Sequence, residues 1–303
     1  MIFINPKIDF AFKKIFGSED NKDILISFLN SLIYEAHPVI QDLEIINPYL
    51  APKIRGIKET YLDIKAKVRD GESKEESTVI IEMQVLNVEG FEKRILYNAA
   101  KSYSTQLTSG QGYQLLNPVI ALTITDFVMF HELDSVTSKF ILKEKDFLID
   151  YPIYDIELIF VELPKFQKSE SELENNVDKW LYFLNNARKL QDVPDSMEDI
   201  PEFQKAFYIA NQANLSLDEL EDQEKSEIFI QDQRGAITKA IRQGLEEGLQ
   251  EGLKQGLQEG LQEGRQEGAK QKTYEIARKM LGVVDEQTIA QMTGLSLDEL
   301  KLL

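Results

Sequence analysis

Apolar residues recur every three to four positions at two places near the N-terminus. Ile8, Phe12, Ile15 and Phe16 predict a short helix over residues 7–17, stopped by Gly17. Ile24, Leu25, Phe28, Leu29 and Leu32 predict a second from about Asn21 to Glu35, with Pro38 beyond it. The period then falls to two. Residues 40–47 read as a strand, and two further strands, 61–69 and 78–85, flank the polar, turn-like segment 70–77. Strand side chains alternate between faces, so Tyr61, Asp63, Lys65, Lys67 and Arg69 share one face and Leu62, Ile64, Ala66 and Val68 the other. Glu82 and Gln84 share a face opposite Val79, Ile81, Met83 and Val85. A hairpin folded about residues 72 and 73 sets Asp63 opposite Glu82 on one side of the sheet. A helix over 91–107 and strands at 119–127, 140–143 and 156–163 complete the series, which predicts one mixed α/β sheet with helices against it.

From about Ser169 the pattern is helical and acidic, punctuated by Pro194 and Pro201. Val177, Trp180, Leu181, Phe183 and Leu184 form a packed helix face, in which Trp180 reads as core. Residues 244–271 are a tandem tetrad, GLEE GLQE GLKQ GLQE GLQE GRQE GAKQ, holding seven of the 16 glycines. Each glycine costs a helix about 0.8–1 kcal/mol relative to alanine, so seven cost roughly 6 kcal/mol. A four-residue step turns 400°, so the Gly and Leu rows spiral and form no straight seam, unlike heptads. The residues favour a low-complexity linker, helical only in part, over an oligomerising helix. The segment 272–303 predicts a compact three-helix piece: 273–281, then 286–292 stopped by Gly294, then a last helix from Leu297 capped by Ser296 and Glu299. Residues 289–296 resemble the turn of a helix-turn-helix. The would-be recognition helix offers only Lys301 as a base, so a protein–protein or dimer module is the preferred reading.

Composition narrows the chemistry. With no cysteine among 303 residues, disulfides and thiolate zinc sites are excluded, and two histidines, His37 and His131, leave little for a histidine metal site or a Ser/His/Asp triad. A basic leader and a long apolar run are both missing, which predicts a soluble cytoplasmic protein without a membrane partner. The net charge of −18 argues against a nucleic-acid binder until it is partitioned: residues 1–120 carry −2, 121–235 carry −14 and 236–303 carry −2. The acid lies away from the hairpin, around which Lys53, Arg55, Lys58, Lys65, Lys67 and Arg69 form a basic stripe. A mixed-sign solvated surface accounts for the same residues.

Two carboxylates and an amide converging from Asp63, Glu82 and Gln84 suit a hard divalent ion such as Mg²⁺, which takes carboxylate oxygens plus substrate phosphate oxygens. A solvated strand face would also carry Asp and Glu. Against that, Glu82 sits inside the apolar run Val79–Val85, where an unpaired carboxylate is costly to bury.

Several segments together resemble the Rpn-type family of recombination-promoting nucleases, often labelled putative transposases, in the PD-(D/E)xK superfamily. They are Asp9-Phe10-Ala11-Phe12-Lys13-Lys14-Ile15-Phe16-Gly17, Phe28-Leu29-Asn30, Asp63, Glu82-Met83-Gln84, Arg94-Ile95-Leu96-Tyr97, and Tyr103 to Tyr113 with Gln106 and Gly110. The similarity spans about residues 3–165, and the tetrads and tail also look like C-terminal regions of that family. The resemblance implies a PD-(D/E)xK nuclease-like mixed sheet with an αβββαβ core, flanking helices and a mainly helical C-terminal part. It implies DNA phosphodiester cleavage with Mg²⁺, or Mn²⁺ in its place, and no organic cofactor. Asp63 and Glu82 are then the metal ligands. Gln84 takes the slot where the superfamily usually has lysine; it is neutral, cannot act as a base and can only orient water. Asp9 is a candidate outer ligand, or equally a helix N-cap before Phe10. Arg94 and Tyr97 are candidate phosphate contacts, with packing an alternative for Tyr97, and Lys65 and Lys67 are candidate DNA contacts.

The expected organisation is a nuclease-like domain over 1–165, an acidic helical accessory region over 166–235, a tetrad helix or linker over 236–272 and a helical tail over 273–303. The expected function is a Mg²⁺-dependent DNA endonuclease linked to recombination, mobile elements or defence, acting as a homo-oligomer. The alternative is a catalytically weak nuclease-like interaction protein that oligomerises through its C-terminal region.

Overall fold

A computed structural model describes residues 1–50, 60–72 and 75–303. Lys53, Arg55 and Lys58 of the basic stripe lie outside the described residues. The chain divides into two compact units, 1–234 and 235–303.

In the first unit α1 (Asp9–Phe16) and α2 (Lys22–Tyr34) bury Phe12, Ile15, Phe16, Ile24, Leu25, Phe28 and Leu29, the predicted apolar stripes. Gly17 ends α1 in close quarters: a Cβ there would stand 2.7 Å from the Lys13 carbonyl oxygen. The strands that follow are β1 (Ile40–Ile46), β2 (Tyr49–Leu50), β3 (Thr60–Tyr61), β4 (Ile64–Asp70) and β5 (Glu76–Gln84). Helix α3 (Phe91–Ser104) leads to β6 (Val119–Thr125), β7 (Thr137–Phe140) and β8 (Ile156–Glu162). Among the described residues six strands form one sheet in the order β1-β4-β5-β6-β8-β7, and β2 pairs with β3. β1, β4 and β5 are antiparallel neighbours, β5, β6 and β8 run parallel, and β7 lies antiparallel on the edge. This is the αβββαβ core of a PD-(D/E)xK fold.

The two sheet faces differ in their cover. Ile64, Ala66, Val68, Val79, Ile81, Met83, Leu122, Ile124 and Val161 pack in one core with α1 and α2. Leu62, Ile80 and Ala121 meet Ala99 of α3 on the other face. Helices α4 (Asn176–Asn186), α5 (Asp195–Glu198) and α6 (Pro201–Ala210) extend the first core. Trp180 is fully buried against Phe28 and Phe203 and donates its indole N–H to Ser27 Oγ at 3.2 Å. The acidic region expected as an accessory part thus shares the hydrophobic core of the nuclease-like part, and its buried Asp178 is paired with Lys168 at 2.8 Å.

Two motif amides serve as clamps between elements. Asn30 of α2 donates to the Ile40 carbonyl and accepts from its N–H, at 2.9 and 2.8 Å. Gln106 does the same for Asn117, at 2.8 Å each way. Each closes a loop by satisfying both backbone groups of one residue.

A long helix, α7 (Leu217–Met280), starts at a Ser216 cap and runs through all seven tetrads. This corrects the preference for a linker. The physical reason is cooperativity: helix nucleation is costly and propagation is not. The N-terminal end is held by Lys14 on Glu219 and by Arg234 on Asp126 at 2.6 Å. Ala277 is buried at the C-terminal end, so the tetrads need only propagate an existing helix. Leu245, Leu249, Leu253, Leu257 and Leu261 are all exposed. In the second unit α8 (Glu286–Thr293) and α9 (Leu297–Lys301) fold with the end of α7 around Ala277, Ile289, Leu295 and Leu300. Gly294 stops α8 at a φ of 75°, the left-handed region that glycine enters freely, and the Ser296–Glu299 capping box forms as predicted.

Candidate active site

The site sits where β4 begins and β5 ends, beside α1 and α3. Ile64 pairs with Ile81 in the expected register, but the strand expected over 61–69 breaks before Ile64. Leu62 packs with Ile80 and Ala99 on the α3 face, opposite Ile64, Ala66 and Val68, because the chain leaves the ladder at residues 62–63. Asp63 stands just before the ladder, and its Oδ2 accepts the Met83 N–H at 2.7 Å. Backbone pairing on one side and α1 on the other therefore aim its carboxylate.

Glu82 points toward α3. Its Oε1 accepts from Asn98 Nδ2 at 2.9 Å, and Arg94 Nη2 lies 3.6 Å from Oε2. Oε2 is buried and has no hydrogen-bond partner among the described residues. Burial pushes the Glu82 carboxyl up, and Arg94 and Asn98 oppose this only in part. Burial, with Asp9 close by, raises the Asp63 carboxyl to about 7 against the opposing Met83 N–H and Lys13. In both carboxylates the cost of burial outweighs the nearby cation, Lys13 for Asp63 and Arg94 for Glu82.

Gln84 shares the face but is committed on both ends of its amide. Nε2 donates to the Leu86 carbonyl at 2.7 Å, and Oε1 accepts from Arg94 Nη2 at 2.6 Å. Its described contacts therefore orient Arg94. Arg94 spans Gln84 and Glu82, with its guanidinium over the Phe91 ring at 5.1 Å. Tyr97 lies elsewhere: it is partly exposed, and its ring carries the Lys101 ammonium at 5.6 Å.

Asp9 opens α1 as its first residue, and the N-cap is Ile8, so the capping reading of Asp9 does not hold. Its carboxylate pairs with Lys13 at 2.6 Å, and Lys13 Nζ also reaches Asp63 Oδ1 at 3.5 Å. Lys65 stands two positions beyond Asp63, half-buried on the α3 side of β4; burial, reinforced by Lys67, lowers its pKa. Lys67 is exposed in a surface depression shared with Asp42, Glu44, Arg69 and Glu76.

Two residues were missed from sequence. Asn98 is buried and follows Arg94 by four, a polar pair within the apolar α3 face of Phe91, Ile95 and Ala99; that spacing was an available signal. Lys13 follows Asp9 by four and reads as an ordinary surface ion pair. Only the fold brings it to Asp63.

The donor set suits a hard ion in part. Among the described residues no three His, Asp or Glu side chains gather closely enough to hold an ion alone. Asp63 and Glu82, one of them with an unpartnered buried oxygen, match an ion that takes one or two carboxylates and completes its shell from water and substrate phosphate. Among the described residues no helix is long and apolar enough to cross a membrane.

Two family models match the chain. A family model described as PD-(D/E)XK nuclease family transposase matches residues 6–240. A second, described as the C-terminal HTH domain of the Rpn/YhgA-like nuclease family, matches residues 270–303. The tail placed above as a protein–protein module is thus similar to a helix-turn-helix domain, which points to DNA as partner. No curated protein and no solved structure matched the chain. With its αβββαβ sheet and a family match over most of its length, the chain belongs to the PD-(D/E)XK nuclease family transposases.

Proposed function

We propose that this protein is a metal-dependent DNA endonuclease that hydrolyses phosphodiester bonds. The observation that carries the reading is the pair of carboxylates Asp63 and Glu82, both pushed up by burial, the second with a buried oxygen that has no hydrogen-bond partner among the described residues. Asp63 and Glu82 would hold Mg²⁺, or Mn²⁺ in its place. When bound, the ion supplies Lewis-acid polarisation of the phosphate and neutralises charge there. Met83 N–H and Asn98 fix the two carboxylates, so little reorganisation is needed as substrate enters. Arg94, held by Gln84, presents its remaining guanidinium hydrogens toward the scissile phosphate. Lys65 and Lys67 extend along β4 as DNA contacts, and the helix-turn-helix tail adds a second DNA contact. The exposed leucine row of α7 supports self-association of the C-terminal part.

Purified protein with Mg²⁺ should nick supercoiled plasmid, and Asp63→Ala and Glu82→Ala should each abolish nicking. Equal cutting by wild type and variants would sink the assignment. No cutting by any form, with intact oligomers, would favour an interaction protein built on a nuclease fold. Deleting 236–303 should lower the number of subunits per particle in solution, and an unchanged oligomeric state would remove the assembly role.

A further inference from the structure

Gln84 is neutral, and the structure occupies both ends of its amide, with Leu86 at 2.7 Å and Arg94 at 2.6 Å. Charge at the site comes from another element. Lys13 rises from the middle of α1 with its Nζ 2.6 Å from Asp9 Oδ1 and 3.5 Å from Asp63 Oδ1. It is close enough to Glu82 to favour that carboxylate's charged form. Its side chain is 42% exposed, so the ammonium remains open on the solvent side of the carboxylates. Its neighbour Lys14 turns away to Glu219 of α7, so the two adjacent lysines have separate tasks. A helix-surface pair with Asp9 alone would contribute about 0.3–0.5 kcal/mol and would not require a third group. Lys13 instead bridges Asp9 of α1 to Asp63 at the start of β4.

We propose that Lys13 is a catalytic residue of this site, supplying from α1 the positive charge that Gln84 cannot supply from β5. The inference rests on the nuclease reading above. When the water oxygen bonds to phosphorus and the ester P–O bond breaks, negative charge grows on the phosphoryl oxygens. The Lys13 ammonium donates hydrogen bonds to the attacking oxygen and to one of these oxygens. It keeps its proton throughout: the proton of the water leaves to solvent, and the departing oxygen gains one from solvent. Asp9 holds the ammonium in place before substrate arrives and is a positioning residue for Lys13, which accounts for an acidic residue at the start of a helix that lies beside the carboxylates.

The test uses the full-length protein and three variants: Lys13→Gln, Lys13→Arg and the double variant Lys13→Gln with Gln84→Lys. Removing one preorganised donor to the transition state costs about 10²–10³-fold in rate, and that loss is expected for Lys13→Gln in single-turnover plasmid nicking. Binding of a short duplex should change little, and Lys13→Arg should retain part of the rate. Calorimetric titration with Mn²⁺ alone, without DNA, gives the second readout. Lys13→Gln removes a cation competing at Asp63 and should bind Mn²⁺ more tightly while cutting more slowly. A merely structural Lys13 would lose both together. In the double variant, a lysine at position 84 should recover part of the rate. Wild-type rate in Lys13→Gln, or weaker Mn²⁺ binding without recovery in the double variant, overturns the inference while Asp63→Ala still tests the nuclease reading by itself. Absence of nicking by wild type overturns both.

Discussion

Glu162 and Glu82 are glutamates near the carboxyl ends of β8 and β5 in one sheet, and the protein surrounds them differently. Glu162 has a fully buried side chain. Its Oε1 accepts the Met129 and Phe130 N–H groups at 2.5 and 3.0 Å, and its Oε2 pairs with Lys165 at 2.5 Å. Lys165 also donates to the Phe130 and Leu133 carbonyls, so charge and loop close on each other. Glu82 has one amide donor, an arginine at the limit of an ion pair, and an oxygen with no hydrogen-bond partner among the described residues. Both are acids in a sheet, and only accounting for each oxygen separates them. A carboxylate whose lone pairs are all used holds a loop. One left short is available to a ligand.

The largest effect should come from exchanging these fates. Glu82→Gln should reduce plasmid nicking to background while leaving the urea midpoint near or above that of wild type, because it removes an undersatisfied buried charge. Glu162→Gln should do the reverse: breaking one partner from a buried pair costs about 3–5 kcal/mol. Urea unfolding should show that loss, with nicking per folded molecule preserved. A catalytic defect in folded Glu162→Gln would erase the distinction.

A pH series sharpens it. The folded-state pKa of Asp63 lies above its ordinary value, so between about 4 and about 7 the folded state binds the proton more tightly than the unfolded state does. The contribution of this group to stability is therefore greatest at the acid end, falls as pH rises through that window and is level above it. The difference in unfolding free energy between wild type and Asp63→Asn, measured without divalent ions, should follow this curve. A flat difference would break the account of Asp63 as a carboxylate pushed up by burial.

Ion binding should give a smaller shift. At about 100 times its dissociation constant, Mn²⁺ stabilises a protein that binds it only when folded by about 2.7 kcal/mol. At pH 8 wild type should show an upward shift in Tm and Glu82→Gln little or none. The smallest effect belongs to the second unit. Gly256→Ala should stabilise the α7 helix by about 0.8–1 kcal/mol, seen as a higher helical melting temperature by circular dichroism, with nicking unchanged.

The nuclease-like sheet was legible because its strands alternate and its helices carry clear stripes. The pairing of β4 with β5, from Ile64–Ile81 to Arg69–Glu76, follows the register expected from the sequence. The strand expected at 140–143 lies instead at Thr137–Phe140, because β7 takes its register from an edge pairing with β8 that short-range alternation does not encode. The two-residue β2 and β3 are too short to show a period. The tetrad helix was misjudged because glycine cost was counted as if the segment had to nucleate alone, whereas both its ends are anchored.

Local pattern by itself determined most of the elements, their order and one mixed α/β sheet with helices against it, since each depends on residue type at a period of two or 3.6. The αβββαβ core and the roles of the two acids were implied by the family resemblance. Tertiary structure alone decided which groups complete the site. It locked Gln84 onto Arg94, brought Asn98 under Glu82 and carried Lys13 across from α1 to Asp63. These contacts join residues from 10 to 50 positions apart in the chain. A side chain's hydrogen-bond partners depend on how helices pack on a sheet, and no local period records that.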